Sequence, residues 1–167
     1  MAMSSINNGQ HLITLRVSGL GHNLLLEDLP AKATTMSDLQ DQIHRATGLP
    51  PCYQRLLARG VKWDANLENQ TLADAGLEDR TKIMLMHSPL YAKEKDVFEQ
   101  LKKIEGEIED LAGKQTTLES KVLSELVTRI CCKLDGVDTM GSATLRAQRK
   151  ELLRRAERLD SATSHDD

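Results

Sequence analysis

The feature that most constrains this chain is a change of hydrophobic period near Ser88-Pro89. Before that point, short apolar runs of period two alternate with turn residues. After it, glycine and proline thin out and apolar residues recur at helical spacing. Two periods in one chain read as two modules, and 167 residues suffice for two small domains with a core each.

In the first module, Ile13, Leu15 and Val17 alternate with Thr14 and Arg16, the pattern of a half-buried strand. Ser18-Gly19-Leu20-Gly21 supplies turn chemistry and residues 23–29 a second strand, so the pair reads as a hairpin. Thr35 is placed to cap a helix, with Asp38 near its positive end. Leu39, Ile43 and Ala46 then fall on one face. Gly48 ends that helix and Pro50-Pro51 blocks its continuation. Residues 54–58 form a short strand with a turn at Gly60, and Thr71-Leu72-Ala73-Asp74-Ala75-Gly76 a short helical turn. Residues 82–87 form the last strand, with Ile83 and Leu85 on one face and Met84 and Met86 on the other. The order ββαβ, short helix, β is that of an α+β unit with one helix packed on a small sheet.

In the second module, Val97, Leu101, Ile104, Ile108 and Leu111 make a narrow heptad stripe, with Glu99 and Lys103 as an exposed i,i+4 pair. Gly113 breaks the helix. Leu123, Leu126, Val127, Ile130 and Leu134 form a second stripe that ends at Asp135-Gly136. Ser142 caps a third helix whose Leu145, Leu152, Ala156 and Leu159 point inward. Three long helices with short connections predict an all-α antiparallel three-helix bundle. Residues 1–10 are a polar, disordered lead-in without the layout of a signal peptide, and 162–167 a polar, frayed tail. The expected domains are therefore 11–88 and 89–161.

Composition narrows the functions. A net charge of −3 gives no global nucleic-acid signal, and 2% aromatic residues leave no platform for stacked bases. No apolar run approaches a membrane span. Cys52, Cys131 and Cys132 are odd in number and lack paired spacing, which argues against a disulfide framework or a Cys-x-x-Cys zinc site. The expected compartment is reduced: cytoplasmic, and nuclear as well.

Gly48-Leu49-Pro50-Pro51-Cys52-Tyr53-Gln54-Arg55-Leu56-Leu57-Ala58-Arg59-Gly60 resembles the helix-to-strand crossing of ubiquitin, without a gap from Thr35 to Gly60. A three-residue insertion within 62–69 restores the register for Thr71-Leu72-Ala73-Asp74 and the last strand, so the resemblance covers about residues 11–88. It implies a ubiquitin-like β-grasp domain. The last strand runs on into His87-Ser88-Pro89-Leu90-Tyr91 with no Gly-Gly, so conjugation through that tail is not implied. What carries over is the apolar patch gripped by ubiquitin receptors, here Leu57, Met86 and Leu20.

In the helical half, Leu134-Asp135 followed by a short loop and Gln148-Arg149-Lys150 resembles the BAG domain, found in co-chaperones of the heat shock protein 70 class. Glu125 stands ten positions before Asp135, where the family has an acidic residue. The family glutamine two turns after Arg-Lys is Glu157 here, a departure that weakens the pattern at that point. The resemblance implies binding to the chaperone ATPase domain and release of ADP. The chaperone-binding residues would be Glu125, Asp135, Arg146, Arg149, Lys150 and Glu157, and the ubiquitin-like part would recruit a proteasome or other receptor. The third helix carries Arg146, Arg149, Lys150, Arg154, Arg155 and Arg158 against Glu151, Glu157 and Asp160. Mixed charge of this kind sets partner choice and on-rate.

No catalytic, metal or cofactor pattern competes. No glycine-rich phosphate loop is present, and His11, His22, His44, His87 and His165 share no metal spacing. Ser164-His165-Asp166 is contiguous in a polar tail, whereas a triad is assembled from packed elements. Cys131 and Cys132 read as a packing residue and its neighbour. The alternative reading is a ubiquitin-like scaffold whose heptad at 97–111 self-associates.

Overall fold

A computed structural model describes residues 10–64 and 69–162. The chain forms two compact units, divided between Lys93 and Glu94.

The first unit contains β1 (Leu12–Gly19), β2 (His22–Pro30), α1 (Met36–Thr47), β3 (Gln54–Ala58), β4 (Val61–Trp63) and β5 (Thr81–His87). The sheet order is β2-β1-β5-β3-β4. β1 and β5 are parallel, and the other pairs are antiparallel. Alternation fixes which face is inside: Ile13, Leu15 and Val17 of β1, Ile83 and Leu85 of β5 and Leu56 of β3 are buried. Met36, Leu39 and Ile43 of α1 are fully buried and complete that core. This is the β-grasp of ubiquitin, as the sequence implied.

The ends of α1 are set by local chemistry. Thr35 Oγ1 accepts from the Asp38 N–H at 3.1 Å and the Asp38 carboxylate accepts from the Thr35 N–H at 3.0 Å, a reciprocal capping box. The Thr35 bonds hold the Asp38 carboxyl below its ordinary value. Gly48, at φ 74°, closes the helix in the left-handed region. The apolar face differs by one position from expectation: Ala46 is exposed and Gln40 is buried. The reason lies in the crossing that follows. Gln54 Nε2 donates to the carbonyls of Gln40 (2.9 Å) and Leu49 (2.8 Å), which draws the middle of α1 against β3.

Of the insertion within 62–69, Lys62 and Trp63 belong to β4, and Asp64 pairs with Arg55 at 2.6 Å. Residues 65–68 of the insertion lie outside the described residues, as do residues 1–9 of the lead-in expected at 1–10 and residues 163–167 of the tail expected at 162–167.

α2 (Pro89–Gly113), α3 (Ser120–Asp135) and α4 (Ala143–Ser161) follow. Pro89 stands at the first position of α2, where a missing N–H costs nothing. The second unit has α2 antiparallel to α3 and α3 antiparallel to α4. Phe98, Leu101, Ile104, Ile108 and Leu111 of α2 are buried, together with Leu123, Val127, Ile130 and Leu134 of α3 and Leu145, Leu152 and Ala156 of α4. Val97, expected inside, is half-buried, because Phe98 beside it takes the core position with the larger side chain. Leu126 and Leu159 are half-buried as well. Each such buried aliphatic contributes about 1.5–3 kcal/mol. An exposed ion pair contributes ~1 kcal/mol or less, so the apolar stripes hold the bundle. The stripe on which the self-association reading rested is thus inside it.

Candidate functional site

The α3–α4 connection is built from short-range bonds. Gly136 follows α3 and donates to the Cys132 carbonyl at 3.1 Å. Val137 and Thr139 are buried, Met140 (φ 49°) and Gly141 (φ 75°) turn the chain, and the Ser142 hydroxyl accepts from the Leu145 N–H at 3.3 Å. The two helices are therefore presented from a fixed corner, not a slack tether.

The expected chaperone-binding residues divide around that corner. Glu125 and Asp135 are exposed on α3. Ten residues separate them, which is about 15 Å along a helix and about 80° around it, so they share one broad side. The Glu125 carboxylate accepts from Arg129 one turn on. On α4, Arg146, Lys150 and Glu157 are exposed and fall within about 40° of one another, a single stripe. Arg146 turns back to the carbonyls of Ser142 and Gly141 at 3.4 and 3.3 Å. Arg149 is different. It is half-buried, and its Nη1 donates to the Val137 carbonyl at 2.9 Å, so it braces the corner.

The remaining α4 arginines are tied within the unit. Arg155 bonds Glu105 of α2 at 2.8 Å, and Arg158 bonds Glu151 at 3.0 Å. Burial pushes the Cys131 thiol above its ordinary 9.0, and the carboxylates of Glu157 and Asp135 push it further. A thiol held protonated in this way is a poor nucleophile. Cys132 beside it is exposed.

A groove of about 540 Å³ lies between α2 and α3, floored by Leu111, Leu118, Leu126 and Ile130 and crossed by the 2.6 Å Lys133–Glu107 ion pair. It does not include Glu125, Asp135 or Lys150. Among the described residues, no three His, Cys, Asp or Glu side chains are grouped to hold a metal. Nor is any helix long and apolar enough to cross a membrane. Ser164, His165 and Asp166 lie outside the described residues.

On the ubiquitin-like unit, Met86 and Leu20 are exposed and Leu57 is half-buried. Strand register places Leu57 directly opposite Met84, and Met86 opposite Arg55. Met84 is 52% exposed, more than either Leu20 or Met86, and shares their exposed apolar character although the sequence reading did not name it as a candidate. The alternation of Ile83, Met84, Leu85 and Met86 carried the signal, since it put both methionines on one face.

Residues 95–161 match the family model described as the BAG domain. The helical unit is a BAG domain. Its match begins within α2 and ends with α4, so it takes in all the chaperone-binding candidates. Among solved structures, the chain is similar to a crystal structure of the Arabidopsis protein ATBAG1 in complex with HSP70. That likeness has 18% identity and a TM-score of 0.40, and covers 89% of this chain and 94% of that chain. A solution NMR structure of the ubiquitin-like domain of an Arabidopsis thaliana protein is also similar, with 18% identity and a TM-score of 0.39. It covers 52% of this chain and 92% of that one. No curated protein matches the chain.

Proposed function

We propose that this protein is a non-enzymatic co-chaperone. Its BAG domain binds the ATPase domain of a heat shock protein 70 class chaperone and promotes exchange of ADP. The observation that carries this reading is the BAG match over 95–161, within which α3 and α4 leave Glu125, Asp135 and Lys150 exposed. Glu125 and Asp135 engage cationic groups of the partner, and Lys150 with Arg146 engages its carboxylates. Arg149 positions the corner between the helices. Glu157, in place of the family glutamine, is the charge that tunes affinity.

Exchange by this route needs no bond chemistry. The BAG domain need only bind the open nucleotide cleft better than the closed one, and the population shifts. A hundredfold shift corresponds to about 2.7 kcal/mol of differential affinity. The ubiquitin-like unit, through Leu57, Met84, Met86 and Leu20, recruits a proteasome or other receptor, and cannot be conjugated through a Gly-Gly end at His87. The three cysteines, all free thiols, fit a reduced cytoplasmic or nuclear setting.

The test is stopped-flow release of fluorescent ADP from such an ATPase domain. The full chain accelerates release, and Asp135→Ala with Lys150→Ala abolishes the acceleration. Release at the spontaneous rate in the presence of saturating protein would overturn the proposal.

A further inference from the structure

The outward face of the ubiquitin-like sheet carries a second feature, one row along from the Leu57–Met84 patch. The register sets Arg16 of β1 directly opposite Lys82 of β5 on one side and opposite Leu25 of β2 on the other. Like charges opposite one another on neighbouring strands destabilise a sheet. Among the described residues, neither Arg16 nor Lys82 has an ion-pair partner to offset this. Arg80, just before β5, adds a third cation. It is held in place by its N–H, which donates to the Thr14 carbonyl at 2.7 Å, despite a φ of 64°.

Two acids stand nearby: Glu27, exposed two residues along β2 from Leu25 and not among the residues that line the cavity, and Asp79, next to Arg80. Asp79 is partly engaged by the backbone. Its Oδ1 accepts from the Thr14 N–H at 2.8 Å, and its Oδ2 lies 3.9 Å from Arg80 Nε in a solvent-exposed pair. Thr14, Arg16, Leu25, Arg80 and Lys82 enclose a cavity of about 350 Å³. Three cations thus converge beside Leu25, a leucine that is 55% exposed.

We propose that this cavity binds an acidic segment of a partner protein, with a carboxylate between Arg16, Lys82 and Arg80 and a neighbouring aliphatic side chain on Leu25. Three features favour a peptide. Leu25 supplies an apolar contact that a free anion would not use. β2 is an edge strand of the sheet, so an extended segment finds unpaired main-chain groups beside the cavity. No aromatic ring lines the cavity, so a nucleic-acid base has nothing to stack on. A membrane surface fits poorly too, since the site lies on a sheet and not on an amphipathic helix. The proposal concerns the ubiquitin-like unit alone and stands or falls separately from chaperone binding.

The test follows backbone amides of the isotope-labelled full chain by NMR. Five probes are titrated: a blocked peptide Asp-Leu-Glu-Leu-Asp, its neutral counterpart Asn-Leu-Gln-Leu-Asn, inorganic phosphate, phosphatidylserine vesicles and a thymidine oligonucleotide. The acidic peptide is expected to shift Thr14, Arg16, Leu25 and Lys82, and the neutral peptide to leave them unmoved. Arg16→Gln and Lys82→Gln each weaken binding about tenfold, while the thermal midpoint of the free protein holds or rises because a like-charge pair is removed. Leu25→Ser weakens binding without altering charge, which keeps the test valid if a cation variant misfolds. Unchanged affinity in the variants, equal shifts with the neutral peptide, or tighter binding of phosphate, vesicles or oligonucleotide at these amides would overturn the proposal.

Discussion

Arg149 Nη1 donates to the carbonyl of Val137 at 2.9 Å, across the turn that joins α3 to α4. Val137 is itself buried, so its carbonyl depends on a protein donor. Arg149→Ala is therefore expected to destabilise the BAG domain by about 1–2 kcal/mol. Lys150→Ala, one residue on and exposed, is expected to change stability by less than about 0.5 kcal/mol. Thermal unfolding followed by far-UV circular dichroism separates the two. A wild-type midpoint for Arg149→Ala would mean that the guanidinium is free for the partner.

Glu125 and Asp135 are expected to behave in the opposite way. Both are exposed, and the Glu125–Arg129 pair is a one-turn surface contact, worth less than about 0.5 kcal/mol. Glu125→Gln and Asp135→Asn should leave the unfolding midpoint where it is. Each should weaken binding to the chaperone ATPase domain about tenfold or more, with the loss growing as salt is lowered, if they engage cations of the partner. Calorimetric titration at two ionic strengths measures this. Unaltered affinity for both variants would remove α3 from the interface.

Tyr91 stacks on His87 with ring centroids 3.7 Å apart and meets Tyr53 edge-on at 5.7 Å. Ser88 adds two bonds nearby, its hydroxyl donating to Cys52 and its N–H to Tyr53. The first turn of α2 therefore belongs energetically to the ubiquitin-like unit. Tyr91→Ala is expected to cost that unit about 1 kcal/mol. Trp63, the only tryptophan and a buried one, reports on it by fluorescence. An unmoved urea midpoint would show that the aromatic contacts contribute nothing.

The elements that sequence made legible are those whose period repeats. Ile13, Leu15 and Val17 announce β1 because three alternations leave one face to bury, and Thr35 with Asp38 announces α1 because capping is a contact between near neighbours. β4 was not legible: Val61 and Lys62 are exposed and only Trp63 is buried, so three residues carry no period. Val97 and Phe98 each sit at helical spacing from Leu101, and only packing decides between them. The site divides likewise. Exposure of Glu125 and Asp135 follows from the α3 stripe on the other side of the helix. The bond from Arg149 to Val137 depends on the path of a loop, and no local pattern encodes it. The Arg16–Lys82 opposition needs the parallel register of β1 and β5, a contact between residues far apart in sequence.

Glu105 links α2 to α4 through Arg155 at 2.8 Å, and Lys102 reaches it from the same helix at 3.0 Å. Burial pushes its carboxyl up, but the bonds from Lys102 and Arg155 outweigh this together and hold it below the ordinary 4.5. A carboxyl with a depressed folded value stabilises the fold above its unfolded value, and that contribution is lost as pH falls through the folded one. Arg155→Gln should therefore be less stable than the wild type at neutral pH, with the difference closing on acidification below 4.5. Urea unfolding across that range measures it, and a gap independent of pH would assign the loss to packing of the arginine stem.

Gly19 ends β1 at φ 136°, and a Cβ built there would lie 2.2 Å from the carbonyl oxygen of Leu85 in β5. The obstacle is backbone in the central parallel pair of the sheet, which cannot swing aside as a side chain can, and the φ itself disfavours any residue but glycine. Gly19→Ala must therefore open the β1–β5 seam or distort the turn to β2. The expected cost is about 3 kcal/mol or more. With a typical urea dependence of roughly 1–3 kcal/mol per molar, the midpoint of the Trp63 fluorescence transition drops by at least about 1 M. The helical transition of the BAG domain, read by circular dichroism, should stay in place, because the substitution lies wholly within the other unit. A Gly19→Ala protein with a wild-type fluorescence midpoint would mean that the two central strands can separate locally without loss of the sheet.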